Sequence, residues 1–259
     1  MIEGMRVHVP AMRRIDKVIQ SLTRPIRNHA MRERDLGPPS FNERSVEYAF
    51  TFGQMATRAP GKLLDVGSGK SAFPALARMA GWQTEAVDNV RDFWPPGPLG
   101  LRWGLFNEHF FVQNIDLATE SKASCFEIVT CLSTFEHVHQ REALFAGMCR
   151  ALQPGGLLIL TTPYRHKGGT PNAYDLPGSD AYKSSVPYKC QVMDGQELSV
   201  LLHTNGLELA MAEYWRFYDS EFWSVGNQVS PPDKVRLEDS HQLACFALHK
   251  PRGSAEFES

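Results

Sequence analysis

Leu63-Leu64-Asp65-Val66-Gly67-Ser68-Gly69-Lys70-Ser71-Ala72 is the stretch on which the fold turns. Two apolar residues lead into Asp65, a Gly67-x-Gly69 turn follows, and the small apolar run Ala72-Phe73-Pro74-Ala75-Leu76-Ala77 comes next. That order predicts a strand, a tight turn and a helix. Glycines serve such a turn because the backbone bends sharply and a ligand must approach the main chain closely. The stretch therefore predicts a nucleotide-like cofactor at the tip of the first core strand.

The glycines alone leave two cofactor classes open. Gly67-x-Gly69-x-x-Ala72 also fits the loose dinucleotide fingerprint, which with Asp88 keeps an NAD-dependent oxidoreductase as one alternative. Asp65 argues the other way. A carboxylate two residues before the first glycine repels a pyrophosphate and attracts an ammonium or sulfonium group.

Four further landmarks follow in order. Gln83-Thr84-Glu85-Ala86-Val87-Asp88 predicts a second strand ending in an acid, placed to grip ribose hydroxyls. Phe110 to Ile115 predicts a third strand, ending at Asp116-Leu117. Phe126 to Leu132 predicts a fourth, running into Ser133-Thr134-Phe135-Glu136-His137-Val138. A helix comes next, then a Pro154-Gly155-Gly156 turn feeding a fifth strand, Leu157 to Thr162.

On these landmarks the chain resembles the class I S-adenosylmethionine-dependent methyltransferases, with Ser71 standing where a third glycine is usual. The resemblance spans roughly residues 45–250. It implies an α/β, Rossmann-like fold: a mostly parallel seven-stranded sheet with helices on both faces and an antiparallel last strand. It implies S-adenosyl-L-methionine as the cofactor. Asp65, Gly67 and Gly69 would hold the methionine end, Asp88 the ribose, and Asp116 and Leu117 the adenine, with Ser68 and Asn89 also binding the cofactor. Ser133 and Thr134 would line the sulfur side. The implied acceptor is a small molecule or a sugar-containing metabolite, methylated on oxygen. A non-catalytic S-adenosylmethionine-binding protein is the other alternative.

Methyl transfer needs an aligned nucleophile with a free lone pair, so a base is worth seeking. His137 is the first candidate, with Glu136 beside it, because an imidazole titrates near neutrality. His166, in the long segment after the fifth strand, is a further one. Some related methyltransferases bind a divalent ion through Glu-x-x-Glu-His at this position. Here Ser133 takes the first place, a hard cation loses a carboxylate, and no metal is expected.

The 259 residues, 42% of them hydrophobic, suffice for one substantial core. A net charge of −2 offers no overall basic field for nucleic acid. The 5 cysteines lack zinc-like spacing and read as reduced thiols. With no long apolar span and no leader pattern, a cytoplasmic location is expected. Residues 1–39 predict a basic helical extension and linker, with an apolar stripe at Ile15, Val18, Ile19, Leu22 and Ile26. Residues 40–250 predict the catalytic domain, opening with an aromatic-rich helix from Ser40 to Met55, and 251–259 a flexible tail. Two irregular insertions, 91–109 and 163–190, are expected over the active site. A helix from Asp194 to His203 and strands at 206–212 and 242–248 close the domain.

Overall fold

A computed structural model describes residues 43–69, 71–89, 104–107, 110–179, 182 and 189–252. The basic extension at 1–39, most of the first insertion, part of the second and the tail from 253 lie outside the described residues.

Five parallel strands carry the fold: β1 (Lys62–Val66), β2 (Gln83–Asp88), β4 (Phe110–Asn114), β5 (Phe126–Leu132) and β6 (Leu152–Arg165). An antiparallel strand β3 (Gly104–Asn107) pairs with β4 at one edge. At the other edge come β8 (Glu208–Tyr218), β9 (Gln228–Val235) and β10 (Leu243–His249). The order is β3-β4-β2-β1-β5-β6-β10-β8-β9, with the short β7 (Met193–Asp194) pairing with the far end of β6. Strand β10 is antiparallel to both β6 and β8.

The seven expected strands form the continuous run β4-β2-β1-β5-β6-β10-β8, and β3 and β9 extend it at its two edges. The expected irregular segment 91–109 thus contains a strand: residues 104–107 fold back on β4 as an edge hairpin. Similarly, 163–165 continue β6 rather than opening a loop. Partners explain that length, since β10 pairs with 157–163 and β7 takes up 164–165. The Pro154-Gly155-Gly156 turn lies inside β6, absorbed as a register shift opposite Phe126 and Ile128. The intervening aromatic piece 214–218 continues β8.

Alternating side chains of the strands feed two cores, as the period of two requires. On one face Leu64, Val66, Val129, Cys131, Leu158 and Leu160 pack with helix α3 (Arg141–Ala151) and helix α4 (Gly195–Asn205). On the other, Leu63, Ile128, Ile159, Cys245 and Ala247 pack with helix α1 (Glu43–Met55) and helix α2 (Phe73–Met79). Within this second core Tyr48 and Phe52 of α1 meet Phe73 of α2 at ring-centre distances of 5.7 and 5.6 Å. Helix α4 starts as its sequence predicts: the Asp194 carboxylate accepts from the amides of Gln196 and Glu197 at 3.1 and 3.0 Å. The Glu197 carboxylate in the first turn pairs with Arg141 of α3 at 2.9 Å.

Helix α3 lies so close to the segment after β4 that a Cβ on Gly147 would stand 2.0 Å from the Leu117 carbonyl oxygen. Helix propensity alone favours alanine over glycine by about 1 kcal/mol. Overpacking against backbone costs about 1–3 kcal/mol and outweighs it. Gly147→Ala is therefore expected to lower stability in urea denaturation; a rise would show that α3 can move away from Leu117.

Candidate functional site

The carboxyl ends of β1, β2, β4 and β5 converge on one edge of the sheet, where open α/β folds bind ligands. Strand β1 ends past Asp65, and the chain turns through Gly67 (φ +72°) and Gly69 (φ +51°), a left-handed region that favours glycine. The Gly67 and Ser68 amides both donate to the Val87 carbonyl, at 2.9 and 3.3 Å. The Gly69 amide donates to Asp88 Oδ2 at 2.7 Å. Next along the edge, Asn89 Nδ2 donates to Asp116 Oδ2 at 3.0 Å, and Asp116 Oδ1 accepts from the Ala118 amide at 2.9 Å. From β5, the Thr134 hydroxyl lies 3.0 Å from the Gly67 carbonyl, to which it donates. Asp65, Gly67, Ser68, Gly69, Asp88, Asn89, Asp116, Ser133 and Thr134 thus share one edge. The Leu117 side chain turns into the core, and only its main chain is available there.

Acid groups dominate this edge. Asp65 is buried, and burial pushes its carboxyl up to about 7 against the pull of the Thr130 hydroxyl, 2.7 Å away. The Ser68 hydroxyl beside it is buried as well and pulls the Asp65 carboxyl down in the same sense as Thr130. The 3₁₀ turn Phe135–His137 follows β5 and brings in Glu136. Burial, with the nearby Glu47 adding to it, pushes the Glu136 carboxyl up to about 8. It is therefore protonated at neutral pH, and its Oε2 has no partner among the described residues.

His137 Nδ1 lies 2.6 Å from the Lys189 carbonyl, so that nitrogen carries the proton and donates it. Nε2 then keeps the lone pair, 3.8 Å from Glu136 Oε1. Burial holds the ring below the usual imidazole range, and it is neutral at pH 7. His166 is not brought to this group. It lines a separate cavity of about 350 Å3 with Arg165 and His241, whose walls include neither Glu136 nor His137. Among the described residues no three His, Cys, Asp or Glu side chains gather as metal ligands.

Glu47 and Arg44 of α1 are the site residues that sequence reasoning missed. Glu47 is fully buried and accepts from the Ser133 hydroxyl at 2.5 Å, the Thr161 hydroxyl at 2.5 Å and Arg44 at 2.8 Å. Arg44 also donates to the Leu132 carbonyl at 3.2 Å. A signal existed. Glu47 stands in register with Phe50, Thr51 and Met55 on the buried stripe of α1, and a carboxylate on such a stripe needs partners.

A family model described as a methyltransferase domain matches residues 39–211. The chain belongs to this methyltransferase family. A curated ubiquinone biosynthesis O-methyltransferase of Xanthomonas oryzae pv. oryzae is 33% identical to the methyltransferase chain over 119 residues, 46% of this chain. That match spans about half, 48%, of the relative's own length. The protein of the same description from Xanthomonas euvesicatoria pv. vesicatoria is 29% identical over 190 residues, 68% of this chain and 76% of its own. Among solved structures, the Burkholderia thailandensis 1,6-didemethyltoxoflavin-N1-methyltransferase superposes with a TM-score of 0.53 at 16% identity. It covers 95% of this chain and 93% of its own, and shares the fold.

The buried acid carries a pH signature. Glu136 has a folded-state value near 8 against the ordinary 4.5. Below pH 4.5 both folded and unfolded states hold the proton, and the full stability is present. As pH rises towards 8 the unfolded chain ionises first, so stability falls, by about 1.4 kcal/mol per unit at most. Asp65 acts in the same sense towards pH 7. Glu136→Gln is expected to flatten the fall between pH 5.5 and 8 in urea unfolding; equal slopes would mean that Glu136 ionises in place.

Proposed function

We propose that the chain transfers a methyl group from S-adenosyl-L-methionine to an oxygen of a small-molecule acceptor. One observation carries the choice of cofactor. The glycine-turn amides that would cradle a pyrophosphate are already committed, to the Val87 carbonyl and to the Asp88 carboxylate. Three carboxylates line the same edge. That surface suits a donor bearing an ammonium and a sulfonium and no phosphate, and it argues against NAD. The buried Asp65, with the Thr130 and Ser68 hydroxyls beside it, fits the cationic methionine end.

When bound, the donor supplies an electrophilic methyl group on sulfur. The rest falls to the chain. Asp65, Gly67, Ser68 and Gly69 hold the methionine end, Asp88 and Asn89 the ribose, Asp116 and the Leu117 main chain the adenine. Ser133 and Thr134 close the sulfur side. Neutral His137, protonated at Nδ1, is the candidate base for a hydroxyl proton of the acceptor. Protonated Glu136 beside it keeps a negative charge away from the ring. His166 has no part in this assignment, since it stands in another cavity.

Oxygen is favoured by the name of the curated relatives, O-methyltransferases, and the acceptor stays at the level of a small molecule. We assign residues 40–250 to the catalytic domain, 1–39 to a basic extension and 251–259 to a tail. No helix among the described residues is long and apolar enough to cross a membrane. The free thiols fit a reducing compartment, and we place the chain in the cytoplasm.

Calorimetric titration with S-adenosylmethionine, S-adenosylhomocysteine and NAD in parallel tests the reading. The first two are expected to bind and NAD not to; binding of NAD alone would overturn it. Asp88→Ala is expected to weaken the first two by about 10–100-fold, the worth of hydrogen bonds to a charged group. Asp65, near half protonation at pH 7, should give up a proton to a cationic ligand. Repeating the titration in buffers of different ionisation enthalpy is expected to show that proton leaving.

A further inference from the structure

Ser133 holds φ +42°, a left-handed conformation at the turn between β5 and the 3₁₀ turn. Side chains other than glycine adopt that region only where the surroundings impose it. We propose that Glu47 imposes it: Glu47 is a positioning residue that ties α1 to Ser133 and thereby sets Thr134 against the glycine turn of the donor site. The tether stands on geometry alone, and its consequence for the ligand rests on the methyl-donor reading above.

The linkage runs through three contacts. Glu47 Oε1 accepts from two hydroxyls, Ser133 Oγ on β5's end and Thr161 Oγ1 on β6, each at 2.5 Å. The Ser133 amide in turn donates towards Thr161, 3.0 Å from its Oγ1 and 3.1 Å from its carbonyl. One carboxylate oxygen thus closes a triangle around the strained residue. The other oxygen accepts from Arg44, which also grips the Leu132 carbonyl just before Ser133. With Ser133 held, Thr134 donates its hydroxyl to the carbonyls of Leu132 and Gly67 at 3.1 and 3.0 Å. Its methyl group fills the space above Gly67, 2.0 Å from where a Cβ would stand.

A fully buried carboxylate is a costly way to dock a helix; an apolar residue of similar volume does that at least as well. What the carboxylate adds is direction. It accepts from two hydroxyls at fixed angles, and an apolar side chain would hold Ser133 in no particular conformation.

Two readouts on the full chain test the proposal: hydrogen exchange of the Ser133 amide without ligand, and calorimetric affinity for S-adenosylhomocysteine. Glu47→Gln is expected to speed that exchange and to weaken affinity about tenfold, with the far-ultraviolet circular dichroism unchanged. Adding Ser133→Gly to Glu47→Gln is expected to regain most of the affinity, because glycine takes the left-handed conformation without a tether. Should Glu47→Gln not fold, Ser133→Ala cuts the same tether from the other side, leaves Glu47 its Thr161 and Arg44 partners, and is expected to show the same two losses. Unchanged exchange at Ser133 overturns the tether. An affinity loss that Ser133→Gly leaves unrepaired overturns the positioning role and leaves Glu47 as an anchor of α1. If the unmutated chain itself binds no S-adenosylhomocysteine, the methyl-donor reading fails, and the exchange result alone still judges the tether.

Discussion

The close approach of Thr134 to Gly67 is the constraint on which the site depends. No side chain fits on residue 67, because its Cβ would lie 2.0 Å from the Thr134 methyl carbon. The missing Cβ allows the tips of β1 and β5 to touch, and the Thr134 hydroxyl to reach the Gly67 carbonyl. It also allows φ +72°, which turns the chain so that Gly67 and Ser68 can both donate to Val87 of β2. A single glycine therefore couples three neighbouring strands at their ligand-binding end. The cores below it, on both faces of the sheet, hold the strands at the spacing this contact requires.

Charge is distributed with equal economy. Asp65, Glu47 and Glu136 are buried at one end of the sheet, and Arg44 is the cation that reaches them from α1. Desolvation raises two of these acids rather than forcing ionised carboxylates into the interior. Asp88 and Asp116 add two more acid groups at the same edge, each taken up by a hydrogen bond from a neighbouring amide. The fold itself is less selective. A solved neighbour of similar topology is named for methylation of nitrogen, whereas the curated relatives are named for methylation of oxygen. A shared sheet thus goes with methylation of different atoms, so the fold alone does not fix the acceptor.

Much of the fold was legible because the chain repeats one pattern. Short, largely apolar runs lead into turn or acidic residues along the chain, and β2 and β5 have the bounds that this pattern predicts. The parts that were not legible are those whose regularity comes from a partner. Residues 104–107 lack an obvious strand pattern and become β3 because β4 offers an open edge. Strand β6 outruns its apolar core because β10 pairs with residues 157–163 and β7 with 164–165. Strand β9 contains Pro231 and Pro232, which speak against a strand, yet it pairs at the outer edge, where missing donors are tolerated.

The site divides along the same line. Asp65, Gly67, Gly69, Asp88, Asp116 and the Ser133–His137 turn could be named from order and spacing, because each follows a strand, and the ends of parallel strands meet in space by construction. Local sequence sufficed to place them at that edge. Glu47 and Arg44 lie in a helix that precedes every strand, 86 and 88 residues from the Ser133 and Leu132 atoms they hold. His166 is the converse case: it directly follows β6 in the chain, and the structure sets it in a cavity with Arg165 and His241 rather than with Glu136 and His137. Strand periodicity and glycine turns are properties of a few adjacent residues. Which helix residue meets which turn depends on how two faces of the sheet pack, and only the folded chain decides that.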